Sequence, residues 1–147
     1  MKKAIDSHRD AEVIIFLGDG LSDADALAVY YTDKAWVTVK GNCDFSGMFR
    51  CAPVNKTEEI ELLGHRIVLT HGDLYDVKYG LDRIEYLALE TRADVVLFGH
   101  THIPYESYVS GDHPFYLFNP GSISAPSYTY GIMTLTENTV LLSHGKL

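Results

Sequence analysis

No apolar run in this 147-residue chain approaches the ~20 residues that a membrane-spanning helix needs. Nor does an apolar stretch precede Val13, and the opening MKKAIDSHRD is too polar for a secretory signal. These absences place the expected location in the cytoplasm, with no membrane partner. Basic residues are in short supply: 12 Lys and Arg stand against 20 Asp and Glu, for a net charge of −8. A sequence-blind grip on nucleic acid rests on Lys and Arg neutralising phosphates, so nucleic acid is not expected as a stable partner. Cysteine is scarce as well. Cys43 and Cys51 sit close together in one loop, and in a cytoplasmic chain they read as free thiols rather than a disulfide. Low-complexity tracts, internal repeats and linkers are missing. What remains is 46% hydrophobic and 22% charged, the balance of an ordinary globular protein. The length suits one domain over residues 1–147. A chain of that size buries about 68–70% of its unfolded surface, enough for a real core.

The first half alternates strand and helix. Residues 13–17 (VIIFL) form a continuous apolar run, expected as a strand buried on both faces. Residues 22–31 (SDADALAVYY) predict a helix capped by Ser22, with acids in its first turn and Ala24, Leu27, Ala28 and Tyr31 on one face. Residues 35–40 (AWVTVK) are a second strand, so the three make a βαβ unit with parallel strands. Residues 57–62 and 66–69 flank a turn at 63–65 and predict a hairpin. An amphipathic helix follows over 79–91, with Leu81, Ile84, Leu87 and Ala88 on its apolar side. A short buried strand is expected at 94–98, and further strands at 105–109, 114–118, 131–135 and 139–142. The expected fold is a four-layer α/β sandwich, two mixed β-sheets packed together with helices outside.

Chemistry-bearing residues gather just after these strands. Gly18-Asp19-Gly20 follows VIIFL, Gly41-Asn42-Cys43-Asp44 follows WVTVK, His71-Gly72 follows RIVLT, and Gly99-His100-Thr101-His102 follows VVLF. In open α/β sheets, ligands bind outside the carboxyl ends of the strands. Glycine beside each polar residue lets the backbone turn sharply and come close to a ligand. The gathered donors are one carboxylate, one amide oxygen and three imidazoles. Oxygen and nitrogen donors without thiolate pairs suit Mn, Fe, Zn or Ni and are too rich in imidazole for Ca or Mg. Taken singly, each stretch also has a plain reading. Gly-Asp is a common turn, His71 could be a hydrogen-bonded strand-end histidine, and Asn42 could be a turn residue at positive φ. All four in this order, each at a strand end, are hard to obtain by chance.

The series GD…GNCD…THG…GHTH…NPGS resembles the calcineurin-like metallophosphoesterases, over about residues 13–122. It is most similar to their short bacterial and archaeal phosphodiesterase branch, which shares its fold with the phosphoesterase-like subunit of retromer. The resemblance implies two divalent metal ions between strand ends. Asp19 would bridge both ions. Asn42, His71 and His100 would complete one, His102 would bind the other, and Asn42 and His100 would also act in catalysis. Asp44 is expected behind the ligands, with Cys43. Larger members of the family carry histidine at the Cys43 position, where it assists the leaving group, so cysteine there implies weaker acid assistance. The implied reaction is hydrolysis of a small phosphate ester, a phosphodiester above all, by water activated between the ions. The alternative is a metallophosphoesterase-like scaffold that binds protein without turnover. NPGS (119–122) matches the family's loop beside the site and is expected to support it.

The family's first motif is Asp-x-His at the end of the first strand. Asp6-Ser7-His8 spells it but does not fit it. Only residues 9–12 separate His8 from the next strand, whereas parallel neighbours need a crossover of a dozen or more residues. KKAIDSH is expected as the end of a helix, with Asp6 and His8 remote from the metal ligands. By this reading the first strand and its two ligands are absent from the sequence, which leaves one well-held ion. An uncovered sheet edge would also remain, and self-association is one way to cover it. His65, His113 and His144 are expected in solvent, and Tyr128 and Tyr130 in core or surface roles.

Overall fold

The structure, a computed structural model, describes residues 1–44 and 54–147. Cys51 and the loop that holds it lie outside the described residues; Cys43 is an exposed free thiol. The chain runs α1 (Lys2–Ser7), β1 (Val13–Phe16), α2 (Leu21–Ala28), β2 (Ala35–Thr38), β3 (Thr57–Leu62), β4 (His65–Thr70) and a single 3-10 turn (Asp73–Tyr75). It continues with α3 (Asp82–Thr91), β5 (Val95–Phe98), β6 (Pro104–Val109), β7 (Phe115–Pro120), β8 (Thr129–Thr136) and β9 (Thr139–Lys146).

A five-stranded mixed sheet, in the order β3-β4-β5-β7-β6, forms the centre. Its middle strands β4, β5 and β7 are parallel, and both edges are antiparallel. The central strands read HRIVLT, VVLF and FYLFNP, near-continuous apolar runs of the kind that is covered on both faces. On one face Val68, Val96, Phe98, Phe115 and Leu117 pack with Ile84, Leu87 and Ala88 of α3. On the other, Ile67, Leu69, Val95, Leu97 and Phe118 pack with Ile15 and Val37 of β1 and β2 and with Met133, Leu135, Val140 and Leu142 of β8 and β9. The α2 crossover between parallel β1 and β2 lies on the outer side of that layer, because the inner side is taken by the central sheet. The four-layer arrangement is therefore present. Its second β layer is built from two separate ladders, parallel β1–β2 and antiparallel β8–β9.

Several boundaries differ from the sequence expectation, each for a local reason. Ser22 does not cap α2. The helix starts at Leu21 with Gly20 at the N-cap, and no side chain of its own caps it. It also stops at Ala28, where Tyr30 and Tyr31 both return their N–H groups to the Leu27 carbonyl and the Trp36 indole takes the Tyr31 carbonyl. The β3–β4 turn is only Leu63-Gly64, both at positive φ (50° and 82°), so His65 belongs to the strand and pairs with Leu62. Strands β8 and β9 run to eight residues each, longer than expected. The opening segment is helical as expected. Asp6 accepts from the Tyr31 hydroxyl at 2.7 Å, and His8 Nε2 lies 3.1 Å from the Tyr130 hydroxyl.

Candidate metal centre

The four strand-end stretches come together at one end of the parallel strands. The loops after β1 and β2 meet backbone to backbone: a Cβ on Gly18 would lie 2.5 Å from the Gly41 nitrogen and 2.9 Å from His71 Nδ1. Glycine is required there by space as well as by its φ of 94°. The next residue, Asp19, also adopts the left-handed conformation (φ 60°), as do His100 (66°) and His102 (61°). Such backbone is costly for residues with a Cβ and persists where the surroundings over-determine it, often at functional sites.

The surroundings here are explicit. Asp44 takes four backbone N–H groups with one carboxylate: Oδ1 accepts from Gly20 (2.7 Å) and Leu21 (3.0 Å), Oδ2 from Asp19 (2.7 Å) and Gly41 (2.9 Å). It thereby caps α2 from another loop and fixes the turn that presents Asp19. Burial raises the Asp44 pKa, but the N–H groups of Gly20, Leu21, Gly41 and Asp19 together outweigh it and hold the carboxyl below the ordinary 3.8. On the other side, the buried Asn119 donates to the Gly99 carbonyl (2.8 Å) and Thr101 Oγ1 (3.0 Å) and accepts from Gly121 N–H (2.9 Å). Gly99 N–H in turn donates to the His71 carbonyl at 3.0 Å. Asn119 thus ties the loop carrying His100 to the sheet.

The donor atoms converge on His71 Nε2. This ring is 2% exposed, and its Nδ1 lies 2.6 Å from the Leu17 carbonyl. A carbonyl only accepts, so Nδ1 carries a proton and donates to it, which turns Nε2 toward the cluster. Around Nε2 stand Asn42 Oδ1 (3.1 Å), His100 Nδ1 (3.1 Å) and Asp19 Oδ2 (3.3 Å). Each is oriented from behind. Asn42 Nδ2 donates to Cys43 Sγ (3.3 Å), which turns Oδ1 inward. Cys43 N–H occupies Asp19 Oδ1 (2.8 Å), which leaves Oδ2 for the cluster. Burial, followed by the charges of Lys78 and His71, holds His100 below its ordinary pKa of 6.5. His100 is therefore a neutral lone-pair donor at neutral pH. This carboxylate, amide and imidazole set is of the type that holds a first-row transition metal. The backbone carbonyl on His71 Nδ1 is the outer partner that ligating histidines usually have. The donor set fits a divalent metal.

Asp19, His71 and His100 offer ligand atoms all within 4.8 Å of one another, the group of His, Cys, Asp and Glu among the described residues that could hold an ion. His102 is not part of it: the residue is exposed, and its carbonyl accepts from the Ser127 hydroxyl at 3.3 Å. Asp6 and His8 are outside it too, engaged with Tyr31 and Tyr130. The Cys43 thiol is held above its ordinary pKa by its hydrogen bond to Asp19, then by the Asp19 charge, burial and Asp44, so it stays protonated. Of the remaining histidines, His144 is exposed as expected, while His65 and His113 are half-buried rather than in solvent, and all three are bonded. His65, His113 and His144 put Nε2 at 2.8, 2.9 and 2.8 Å from the carbonyls of Thr136, Ala93 and Asn119, and His144 also stacks on Phe118. Asp73, paired with Lys56 at 2.6 Å, has one carboxylate oxygen buried without a partner and was not singled out from the sequence. Its only signal there was its place two residues after His71.

The profile of the calcineurin-like phosphoesterase superfamily domain matches residues 1–140. The chain belongs to this superfamily. It is 35% identical over 141 residues to the probable metallophosphoesterase YsnB of Bacillus subtilis, covering 92% of this chain and 77% of that one. It is 32% identical over 112 residues to the phosphodiesterase YfcE of Escherichia coli, covering 71% of this chain and 54% of that one, so it spans about half of that relative. In three dimensions it resembles a single mutant of Vps29 from Entamoeba histolytica, with a TM-score of 0.74 and 18% identity over 100% of this chain and 89% of the other. That similarity is one of fold. As a calcineurin-like phosphoesterase, the chain comes from an enzyme family that works with divalent metals, and Asp19, His71 and His100 form a metal-ligand group in it. No helix among the described residues is long and apolar enough to cross a membrane.

Proposed function

We propose that this chain is a metal-dependent phosphodiesterase that hydrolyses a small phosphate ester at the Asp19–Asn42–His71–His100 cluster. One observation carries the proposal: Asp19, His71 and His100, with the Asn42 amide oxygen beside them, bring donor atoms of metal-ligating type together at the ends of the strands. A divalent metal, when bound, supplies Lewis-acid activation of water and neutralises charge on the phosphoryl oxygens. The chain's own residues do the rest. Asp19, Asn42, His71 and His100 would hold the ion, with Mn, Fe, Zn or Ni as candidates. Asp44 fixes the Asp19 turn, and the Cys43 backbone N–H occupies Asp19 Oδ1, which leaves Oδ2 facing the cluster. Asn42, at the exposed side of the cluster, and His100 stand where a phosphoryl group would enter. His102 would be the candidate ligand of a second ion beside Asp19.

The position of His102 outside the donor group favours a second reading, in which one metal is held and turnover is weak or absent. Metal content after dialysis and hydrolysis of bis-p-nitrophenyl phosphate with Mn²⁺ separate the two. Wild type should retain about one ion and hydrolyse the diester, and His71→Ala should lose both. Retained metal without hydrolysis selects the scaffold reading. Equal, negligible metal in wild type and His71→Ala refutes the site itself.

A further inference from the structure

The donors of the cluster differ in how firmly they are aimed. His71 is buried, and its Nδ1 is held by the Leu17 carbonyl at 2.6 Å. His100 rides on a loop that Asn119 grips at the Gly99 carbonyl and at Thr101 Oγ1. Asp19 has its N–H on Asp44 Oδ2 at 2.7 Å and its Oδ1 on the Cys43 N–H at 2.8 Å. Asn42 is different. It is exposed, so packing does not fix its side chain. The two ends of a carboxamide have nearly the same shape, but only the oxygen has a lone pair to offer an ion. A half-turn about Cβ–Cγ would present the NH₂ group instead, and the ligand would be lost.

The sulfur of Cys43 tells those two ends apart. Asn42 Nδ2 donates to Cys43 Sγ at 3.3 Å, while Asn42 Oδ1 stands 3.1 Å from His71 Nε2. The thiol's own hydrogen goes to the Asp19 carboxylate, so toward Asn42 the sulfur is an acceptor, and it matches the nitrogen end of the amide rather than the oxygen end. The sulfur also sits on a fixed backbone. Both chain neighbours of Asn42 are tied to Asp19: Gly41 N–H shares Asp44 Oδ2 with the Asp19 N–H, and Cys43 N–H binds Asp19 Oδ1 directly. One residue thus touches two of the candidate ligands, Asp19 through its backbone and Asn42 through its side chain.

We propose that Cys43 is a positioning residue for the metal: its sulfur holds the Asn42 amide with the oxygen turned toward the ion. The inference rests on the phosphodiesterase reading, through the ion that reading puts at the cluster, and deepens it by giving the thiol a task other than assistance to the leaving group. The requirement on residue 43 is then a side-chain acceptor at short reach, which serine also supplies and alanine does not. Outer partners that orient a metal ligand typically change metal affinity about ten- to a hundredfold, and sulfur is a weak acceptor, so the effect belongs at the low end of that range.

The test measures Mn²⁺ affinity by titration calorimetry in wild type, Cys43→Ala, Cys43→Ser, Asn42→Ala and the double variant Asn42→Ala/Cys43→Ala. Cys43→Ala should weaken Mn²⁺ binding about tenfold, and Cys43→Ser should stay within about threefold of wild type. In the Asn42→Ala background, Cys43→Ala should change the affinity by less than about twofold, because the amide that the sulfur orients has gone. This loss of effect is what a merely structural cysteine would not give. An unchanged affinity in Cys43→Ala, with Mn²⁺ bound by wild type, overturns the role of Cys43 alone. So does a Cys43→Ser variant as weak as Cys43→Ala, or a full tenfold loss on top of Asn42→Ala. A urea midpoint of the metal-free protein that falls in Cys43→Ala along with the affinity overturns it as well, in favour of a structural role. A wild type that takes up no Mn²⁺ overturns the phosphodiesterase reading and this inference with it.

Discussion

Replacing Asp44 with Asn removes one negative oxygen and little else in shape. The carboxylate serves two pairs of N–H groups, Gly20 with Leu21 on one oxygen and Asp19 with Gly41 on the other. An Asn side chain can face only one pair with its carbonyl, and its NH₂ confronts the other pair as donor against donor. An unsatisfied buried donor costs about 1–3 kcal/mol, and partial exposure here lets water recover part of that, so Asp44→Asn should lose about 2–4 kcal/mol. Urea denaturation reads this as a lower midpoint at unchanged slope. The loss carries a pH signature. The folded pKa of Asp44 is depressed below 3.8, so its contribution is full above that value and fades as pH falls through the lower folded value. The gap between wild type and Asp44→Asn should therefore be constant from pH 7 to about 5 and close in stronger acid. Metal affinity should fall too, because the Asp19 turn loses an anchor. Equal stability within about 0.5 kcal/mol at pH 7 would refute the reasoning, since surface changes outside such networks fall in that range.

Gly41→Ala places a Cβ 2.1 Å from Asp19 Oδ1, so Asp19 must leave its position, and metal content after dialysis should drop to background. Asn119→Leu keeps the volume but strands the Gly99 carbonyl and the Gly121 N–H; calorimetry should show a loss of about 2–4 kcal/mol. Asp6→Ala and His8→Ala should leave metal content unchanged and cost less than about 1 kcal/mol each, because their bonds to Tyr31 and Tyr130 are peripheral; a metal loss in either would reinstate the pair as ligands.

The cluster was legible because its parts are local signals. Buried runs such as VVLF announce strands, and a glycine with a polar residue at the end of each places donors at one sheet end. The α1 helix was legible for the same reason, since residues 9–12 cannot hold a crossover. What stayed hidden depends on pairings far apart in sequence. Asp44 caps a helix that begins 23 residues earlier, so Ser22 looked like the cap when the acceptor came from another loop. His8 meets Tyr130 across 122 residues, and His65 meets a carbonyl 71 residues on, contacts that no periodicity foretells. The division of the second β layer into two ladders was also out of reach, because strand patterns report burial but not which edge pairs with which.

The Gly18–Gly41 contact bears on how sequences of this kind should be sorted. A Cβ on Gly18 meets backbone atoms of Gly41, and a Cβ on Gly41 meets the backbone nitrogen of Asp19 at 2.4 Å. Backbone atoms cannot be trimmed by a compensating change, so neither glycine can be replaced while the two loops stay in place, whether or not the protein has any chemistry left. A descendant that abandoned hydrolysis yet kept its shape would still spell these glycines, and would be free to lose His71 and His100. In separating working members from retired ones, the glycines vouch only for the architecture, and the two imidazoles are the letters to read.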